Sequence, residues 1–406
     1  MLKKVFDQIH NYRYQARLPE AAKDAHHKDL RGLPETDPGA DQIIRAGIAW
    51  LCRAQDRSAT QDGGVARHYS LIDGWSASYP ETTGYIAPTM LDYARATGEK
   101  EVRERARRML DWLVAIQLPQ GGFQGGLIDS DPVVPVTFNT GQILLGLAAG
   151  AAEFREPYFT AMCRAADWLV QTQDPDGCWR GHPTPFAAPG EKVYETHVAW
   201  GLLEAARVAP GKGYGRAALR NVRWALSHQQ ENGWFAKCCL TDPHRPLTHT
   251  LGYVLRGLLE AYIFTRDAAL LQACRKTADG LSQALRSTDG YLPGRLTSAW
   301  QAGAPWVCLT GNSQIAYCWL KLFELTGHTP YRDAALTANR YVRRTIITDE
   351  RNPDIRGAVK GSFPVGGEYG RYQYLNWACK FTIDANMLEL KLIKTGQFNN
   401  NAGQNP

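Results

Sequence analysis

The chain of 406 residues carries 46 Lys and Arg against 40 Asp and Glu, and it is 44% hydrophobic and 21% charged. That is the balance of a soluble globular protein, and a net charge of +6 spread along this length argues against an electrostatic nucleic-acid binder. No basic block interleaves with aromatics, as single-strand binding requires, and no apolar run reaches membrane-spanning length.

Residues 1–40 read as an N-terminal arm. The opening stretch MLKKVFDQIHNYRYQARL has no apolar core long enough for a signal peptide. Leu2, Val5, Phe6 and Ile9 share one helix face, with Lys3, Lys4, Arg13 and Arg17 elsewhere. That face is expected to pack on the body, with a peripheral membrane contact as the alternative. Pro19 to Ala40 is polar and proline-containing, and reads as a linker or arm. Nine cysteines are scattered without a CxxC pair, as in a reducing compartment, so a cytoplasmic protein is expected.

From residue 41 to 397 one phrase recurs. RAGIAWLCRAQ surrounds Trp50, RRMLDWLVAIQ Trp112, RAADWLVQTQ Trp168 and RNVRWALSHQQ Trp224, the last three tryptophans being 56 residues apart. A glycine turn follows each: Gly63, Gly121, Gly177 and Gly233. Two worn copies end at Gly290 and Gly361, which makes six. A period of this size holds two helices with their loops, and copies of such a unit must stack to bury a core. The prediction is an all-α single domain, an (α/α)6 toroid of six helical hairpins. The tail 398–406, FNNNAGQNP, reads as disordered.

After each glycine turn comes a second helical run: YPETTGYIAP, TFNTGQILLGLAA, YETHVAWGLLEAA, LTHTLGYVLRGLLEA, LTGNSQIAYCWLKL and YLNWACKFTIDANML. These are apolar on several sides and so form the inner ring; the Trp helices, charged on one side, form the outer ring. Alignment of the inner runs brings Tyr85, Gln142, His197, Tyr253, Gln314 and Phe381 to one height around the centre. Just before them stand Glu81, Asn139, Glu195, His249 and Asn312, among threonines suited to helix capping. Capping does not explain Tyr, Gln and His at a common later position, and a polar ring calls for a polar ligand. The last repeat adds Arg371, Tyr372, Tyr374, Asn376, Trp377 and Lys380, groups that stack on sugars or neutralise a carboxylate, or else close the ring between first and last hairpins.

The phrase Trp-Leu-x-x-x-Gln with Gly-x-Trp after it, closest in RAADWLVQTQDPDGCW, resembles the repeat of squalene and hopene cyclases. In that family it braces an α/α toroid whose catalytic acid is an Asp-x-Asp-Asp motif. Here only IDSDP stands at Ile128–Pro132, so the resemblance extends to the scaffold and not to the cyclase chemistry. No Cys-His-Gly zinc motif and no His-Glu-x-x-His spacing occur, and neither a metal nor a cofactor is expected. The other large users of this toroid are six-hairpin glycosidases, uronate polysaccharide lyases and sugar epimerases. YPETTGY, YETHVAW and KGSFP with YLNWACKF are similar to bacterial proteins associated with surface-polysaccharide synthesis.

The resemblance implies an oligo- or polysaccharide substrate and leaves three chemistries. The first is proton abstraction from a uronate by an epimerase or lyase, with His197 or His249 and Tyr253 or Tyr85 carrying the proton. Asn139 or Arg371 would neutralise the carboxylate, and His197→Ala should abolish turnover. Next comes glycoside hydrolysis by Glu81 and Glu195, a pair that must lie roughly 5–9.5 Å apart. The last is a terpenoid-cyclase-like or purely glycan-binding toroid. Sequence leaves the oligomeric state open.

Overall fold

The computed structural model describes residues 17–349 and 351–398. The amphipathic face expected over Leu2–Ile9 lies outside them, as does the tail beyond Phe398. Among the described residues there are thirteen α-helices. They are α1 (Glu20–Leu30), α2 (Ala40–Asp56), α3 (Pro80–Thr97), α4 (Lys100–Ala115), α5 (Thr137–Phe154), α6 (Tyr158–Gln171), α7 (Thr196–Val208), α8 (Tyr214–Leu226), α9 (Thr248–Thr265), α10 (Ala268–Ala284), α11 (Leu309–Thr326), α12 (Thr329–Arg344) and α13 (Asn376–Lys394). None is long and apolar enough to cross a membrane.

The inner ring is α3, α5, α7, α9, α11 and α13, each packed on the next, with α13 returning to α3. Each of the first five inner helices is followed through a short turn, such as Gly98–Glu99, by the outer helix it packs against. The structural hairpin therefore runs inner to outer, whereas the sequence phrase suggests outer to inner. Short turns force antiparallel neighbours, while the long glycine loops cross to the next unit. The ring closes because the first outer helix, α2, packs on the last inner helix, α13.

The repeated residues brace the outer ring. Gln117 Nε2 donates to Gly121 O at 2.9 Å and to Ala161 O at 2.9 Å, tying its own turn to the next outer helix. Gln173 does the same with Gly177 O and Ala217 O. The turn glycine is required: Gly121 has φ 102°, and a Cβ there would stand 2.4 Å from Arg164 O. Inner helices touch backbone to backbone. A Cβ on Gly146 would meet Gly84 O at 2.2 Å, and Gly201 approaches Gly141 O in the same way. Pro88, four residues on, has no N–H for the Gly84 carbonyl.

Short strands accompany the helices. Strands β1 (His68–Ser70), β2 (Gly74–Trp75) and β5 (Gln373–Leu375) form one sheet in the order β2-β1-β5; β3 (Val307–Cys308) pairs with β4 (Ser362–Phe363). The β1–β5 ladder joins the first repeat to the last, with Tyr69 opposite Tyr374. The segment read as a linker is instead docked. Asp29 of α1 is buried, bonded to Lys360 Nζ at 2.5 Å and to Val365 N–H at 2.8 Å. All nine cysteines are free, and eight are buried.

Candidate active site

Tyr85, Gln142, His197, Tyr253, Gln314 and Phe381, aligned by sequence, do meet at mid-height, and all are buried. They fill the bore as a septum instead of lining an open channel. His197 stacks against Tyr253 with ring centroids 4.4 Å apart, and Phe381 lies 5.4 Å from Tyr85. His197 Nδ1 donates to Gln142 Oε1 at 2.5 Å, and His249 Nδ1 donates to Gln314 Oε1 at 2.8 Å. With a glutamine carbonyl as acceptor, Nδ1 carries the hydrogen and Nε2 keeps its lone pair. Burial, chiefly, keeps both imidazoles neutral: His249 falls to about 4 and His197 well below its ordinary value, helped there by the charges of Arg256 and Lys380.

On the long-loop side of the septum lies a buried aromatic cluster around Glu81. The extended segment before α3 presents Tyr79, whose hydroxyl donates to Glu81 Oε2 at 2.6 Å. Asn139 of α5 faces the same phenol. Burial pushes the Glu81 carboxyl up to about 7, opposed by the Tyr79 hydrogen bond and the Arg67 charge. Arg67 lies over Trp377 at 5.0 Å and over Tyr79 at 5.6 Å, half-buried at the rim. Trp377 Nε1 donates to the Tyr369 hydroxyl at 2.8 Å, and Tyr369 stacks on His249 at 5.3 Å. The Glu81 charge raises Tyr85, Tyr253 and Tyr369 further, after burial. The cluster thus holds one titratable acid among phenols.

Glu195 is held elsewhere. Burial pushes it up to about 8, with Lys192 opposing; its neighbours are Cys178 of a glycine turn and Lys192, not Arg67. Both glutamates nevertheless act on the Tyr194 phenol, which each raises further after burial. Asn312 donates to Gly290 O at 3.2 Å and so serves a turn. Asn376 Nδ2 bonds Ala66 O and Thr82 Oγ1, stitching the last repeat to the first. Tyr374 belongs to the β1–β5 ladder, and Tyr372 packs on His26 of α1 with Arg371 stacked on it. These positions form the seam rather than the cluster. Lys380 stands beyond the septum, bonded to Asp384 at 2.6 Å. The threonines are not N-caps: Thr83 Oγ1 accepts from Val65 N–H and donates to Tyr79 O, a stitch repeated by Thr140 with Phe123 and Val136.

Arg67 and Tyr79 are absent from the sequence-derived set, whereas Tyr369 belongs to the sugar-stacking stretch of the last repeat read from the sequence. Tyr79 opens the YPETTGY phrase and was within reach; Arg67 lies in a loop without a repeat counterpart. No group of three or more His, Cys, Asp or Glu side chains is placed to hold a metal among the described residues.

The family model for the squalene-hopene cyclase C-terminal domain matches residues 65–258. Solved structures align over nearly the whole chain at low identity. An unsaturated glucuronyl hydrolase specific for heparin has a TM-score of 0.69 at 14% identity, covering 88% of this chain and 99% of its own. A D-mannose isomerase gives 0.67 at 13%, covering 87% and 97%. Cellobiose 2-epimerase from Bacillus thermoamylovorans B4167 gives 0.66 at 9%, covering 86% and 97%. The fold is an (α/α)6 toroid. No curated protein sequence matches the chain significantly. In this toroid the long-loop face carries the Glu81 cluster, and the short-turn face carries the Lys380 side.

Proposed function

We propose that the toroid is a carbohydrate-active enzyme that moves a proton at carbon of a uronate sugar, as an epimerase or lyase does, with Glu81 as the acid–base group. The observation that carries this reading is the Glu81 carboxyl: buried, bonded to Tyr79 at 2.6 Å and poised at about 7. An acid–base catalyst works best with its pKa near the operating pH. Arg67 has only His68 as a polar partner among the described residues, so its guanidinium is available to a substrate carboxylate. Such a pairing lets the α-proton leave. Tyr253 or Tyr85 would return it. The structural neighbours named for sugar hydrolysis, isomerisation and epimerisation support a sugar substrate.

Paired-carboxylate hydrolysis by Glu81 and Glu195 is the alternative, since both act on Tyr194, but only Glu81 is bonded to a phenol and sits beside Arg67. Resemblance of the inner-helix phrases supports a role in bacterial surface-polysaccharide assembly, on a polysaccharide or lipid-linked oligosaccharide in the cytoplasm. A terpenoid-type substrate is the second reading, favoured by the match over residues 65–258 and by Tyr79, Phe138, Tyr194 and Trp377 in one buried group.

The test is NMR in deuterated water with uronate-containing and neutral oligosaccharides. Deuterium at C5 of a uronate, lost in Glu81→Gln, is the expected result. New reducing ends without C5 exchange would mean hydrolysis. C5 exchange untouched by Glu81→Gln would remove Glu81 from the mechanism. Conversion of an isoprenoid hydrocarbon in place of any sugar would select the second reading.

A further inference from the structure

The opposite face of the septum holds a chamber of about 970 Å³. It opens between the short turns, where Arg95 and Lys391 are half exposed or more. At its floor Arg256 is sandwiched between the rings of Trp200 and Tyr317, 4.0 Å from each, and bonded to Glu260 at 2.8 Å. Beside it, Lys380 is bonded to Asp384, which also accepts from Thr89 at 2.7 Å. One wall is α5, presenting Leu145, Ala148, Ala149 and Ala152, a flat apolar surface.

Charge is the informative feature. The lining contains seven Lys and Arg side chains against four Asp and Glu. Two carboxylates just outside do not close the gap: Glu324 serves both Lys321 and Lys391, and Glu153 serves both Arg95 and Arg103. Arg155, at the rim, has no side-chain ion pair or hydrogen bond among the described residues. A phosphoryl group, with two charges and forked acceptors for arginine, matches the remaining surplus better than a single carboxylate does. The volume is that of a small-molecule site, too large for a bare ion.

We infer that this chamber binds a phosphoryl-bearing small molecule, with its ring or chain against the α5 wall and its phosphoryl group toward Arg155 and Lys391 at the rim. A sugar phosphate is such a molecule; free phosphate has nothing to set against the α5 wall. The site is independent of Glu81, although Tyr85 borders both the chamber and the Glu81 cluster.

The test is isothermal titration of the full chain with glucose 1-phosphate, inorganic pyrophosphate and inorganic phosphate, with glucuronate as the phosphate-free control. Submillimolar binding of a phosphoryl ligand, weakened at least about tenfold by Arg155→Ala with Lys391→Ala, is expected from loss of charge-assisted bonds. These two rim residues are solvent-accessible, so the double variant should fold; Arg256→Lys then reports on the floor. Glu81→Gln should bind as the parent does, which separates this site from the catalytic reading. Tighter binding of glucose 1-phosphate than of inorganic phosphate is expected, because only the sugar reaches the α5 wall, and equal affinity would overturn the inference. Absence of binding at millimolar ligand, glucuronate binding as well as any phosphoryl compound, or indifference to the rim variants would each overturn the inference.

Discussion

The two sides of the septum use charge in opposite ways. On the short-turn side almost every deep charge has its partner: Lys380 with Asp384, Arg256 with Glu260. Around Glu81 the acid has a phenol for a partner, and Arg67 has aromatic faces. Pairing stabilises a charge and holds it still; leaving it half-compensated keeps its protonation within reach of a substrate. On the two proposals above, one side binds and the other exchanges a proton.

The largest expected effect tests that contrast at its centre. Glu81→Gln should lower turnover by about 10²–10⁴-fold, the usual contribution of a general acid–base group, measured as C5 exchange or product formation. Stability of the same variant should hold or improve, because a buried titratable acid has been removed. Lys380→Met should do the reverse to the fold. It strands Asp384 with Thr89 alone, and breaking a buried pair costs about 3–5 kcal/mol, read by urea denaturation. If Lys380→Met proved neutral in stability while Glu81→Gln unfolded the protein, the contrast between the two sides would be wrong.

A smaller effect appears in the pH dependence of stability. Glu81 and Glu195 sit at about 7 and about 8 in the folded protein, above the ordinary carboxylate value of 4.5. Between those values the folded state holds protons that the unfolded chain has lost, so stability is fully present below about pH 4.5 and falls as pH rises through 7 to 8. For Glu81 alone the loss is about 3 kcal/mol. The difference in melting temperature between the parent and Glu81→Gln should therefore shift in the variant's favour from pH 5 to pH 8.5. An unchanged difference would show that Glu81 is ionised throughout. Smallest is Arg67→Met, expected to raise KM for a uronate about 10–100-fold through one lost charge-assisted bond, and to leave a neutral analogue nearly unaffected.

The scaffold was legible because its signal is periodic. Trp, Gln and Gly each hold one bracing position per unit, and the ring at Tyr85, His197 and Tyr253 follows from the inner-helix register. What lies off that register was not legible. Lys380 is one residue before Phe381, so its helical position turns it away and its long side chain reaches the chamber on the short-turn side. Glu195 precedes α7 in a 3-10 turn, Val193–Glu195, that directs it toward the glycine turn at Cys178. Arg67 and Tyr369 come from loops of the first and last repeats, brought together only when the ring closes. Arg371, Tyr372 and Tyr374 have the right chemistry for a sugar site, but the docking of α1 and the β1–β5 ladder place them at the seam.

That closure governs how the chain can be made. Helix α2 waits for α13, more than 300 residues later, where Cys379 Sγ lies 3.5 Å from Gly47 O. Contacts this distant in sequence are slow to form. During synthesis the growing arc of hairpins carries an open edge at each end until α13 leaves the ribosome, and the half-built ring exposes the apolar faces that the closing helix will cover. A chain stopped before residue 376 would lack Trp377 and the closing helix together, and so would lose the Glu81 cluster and the closed ring in one step.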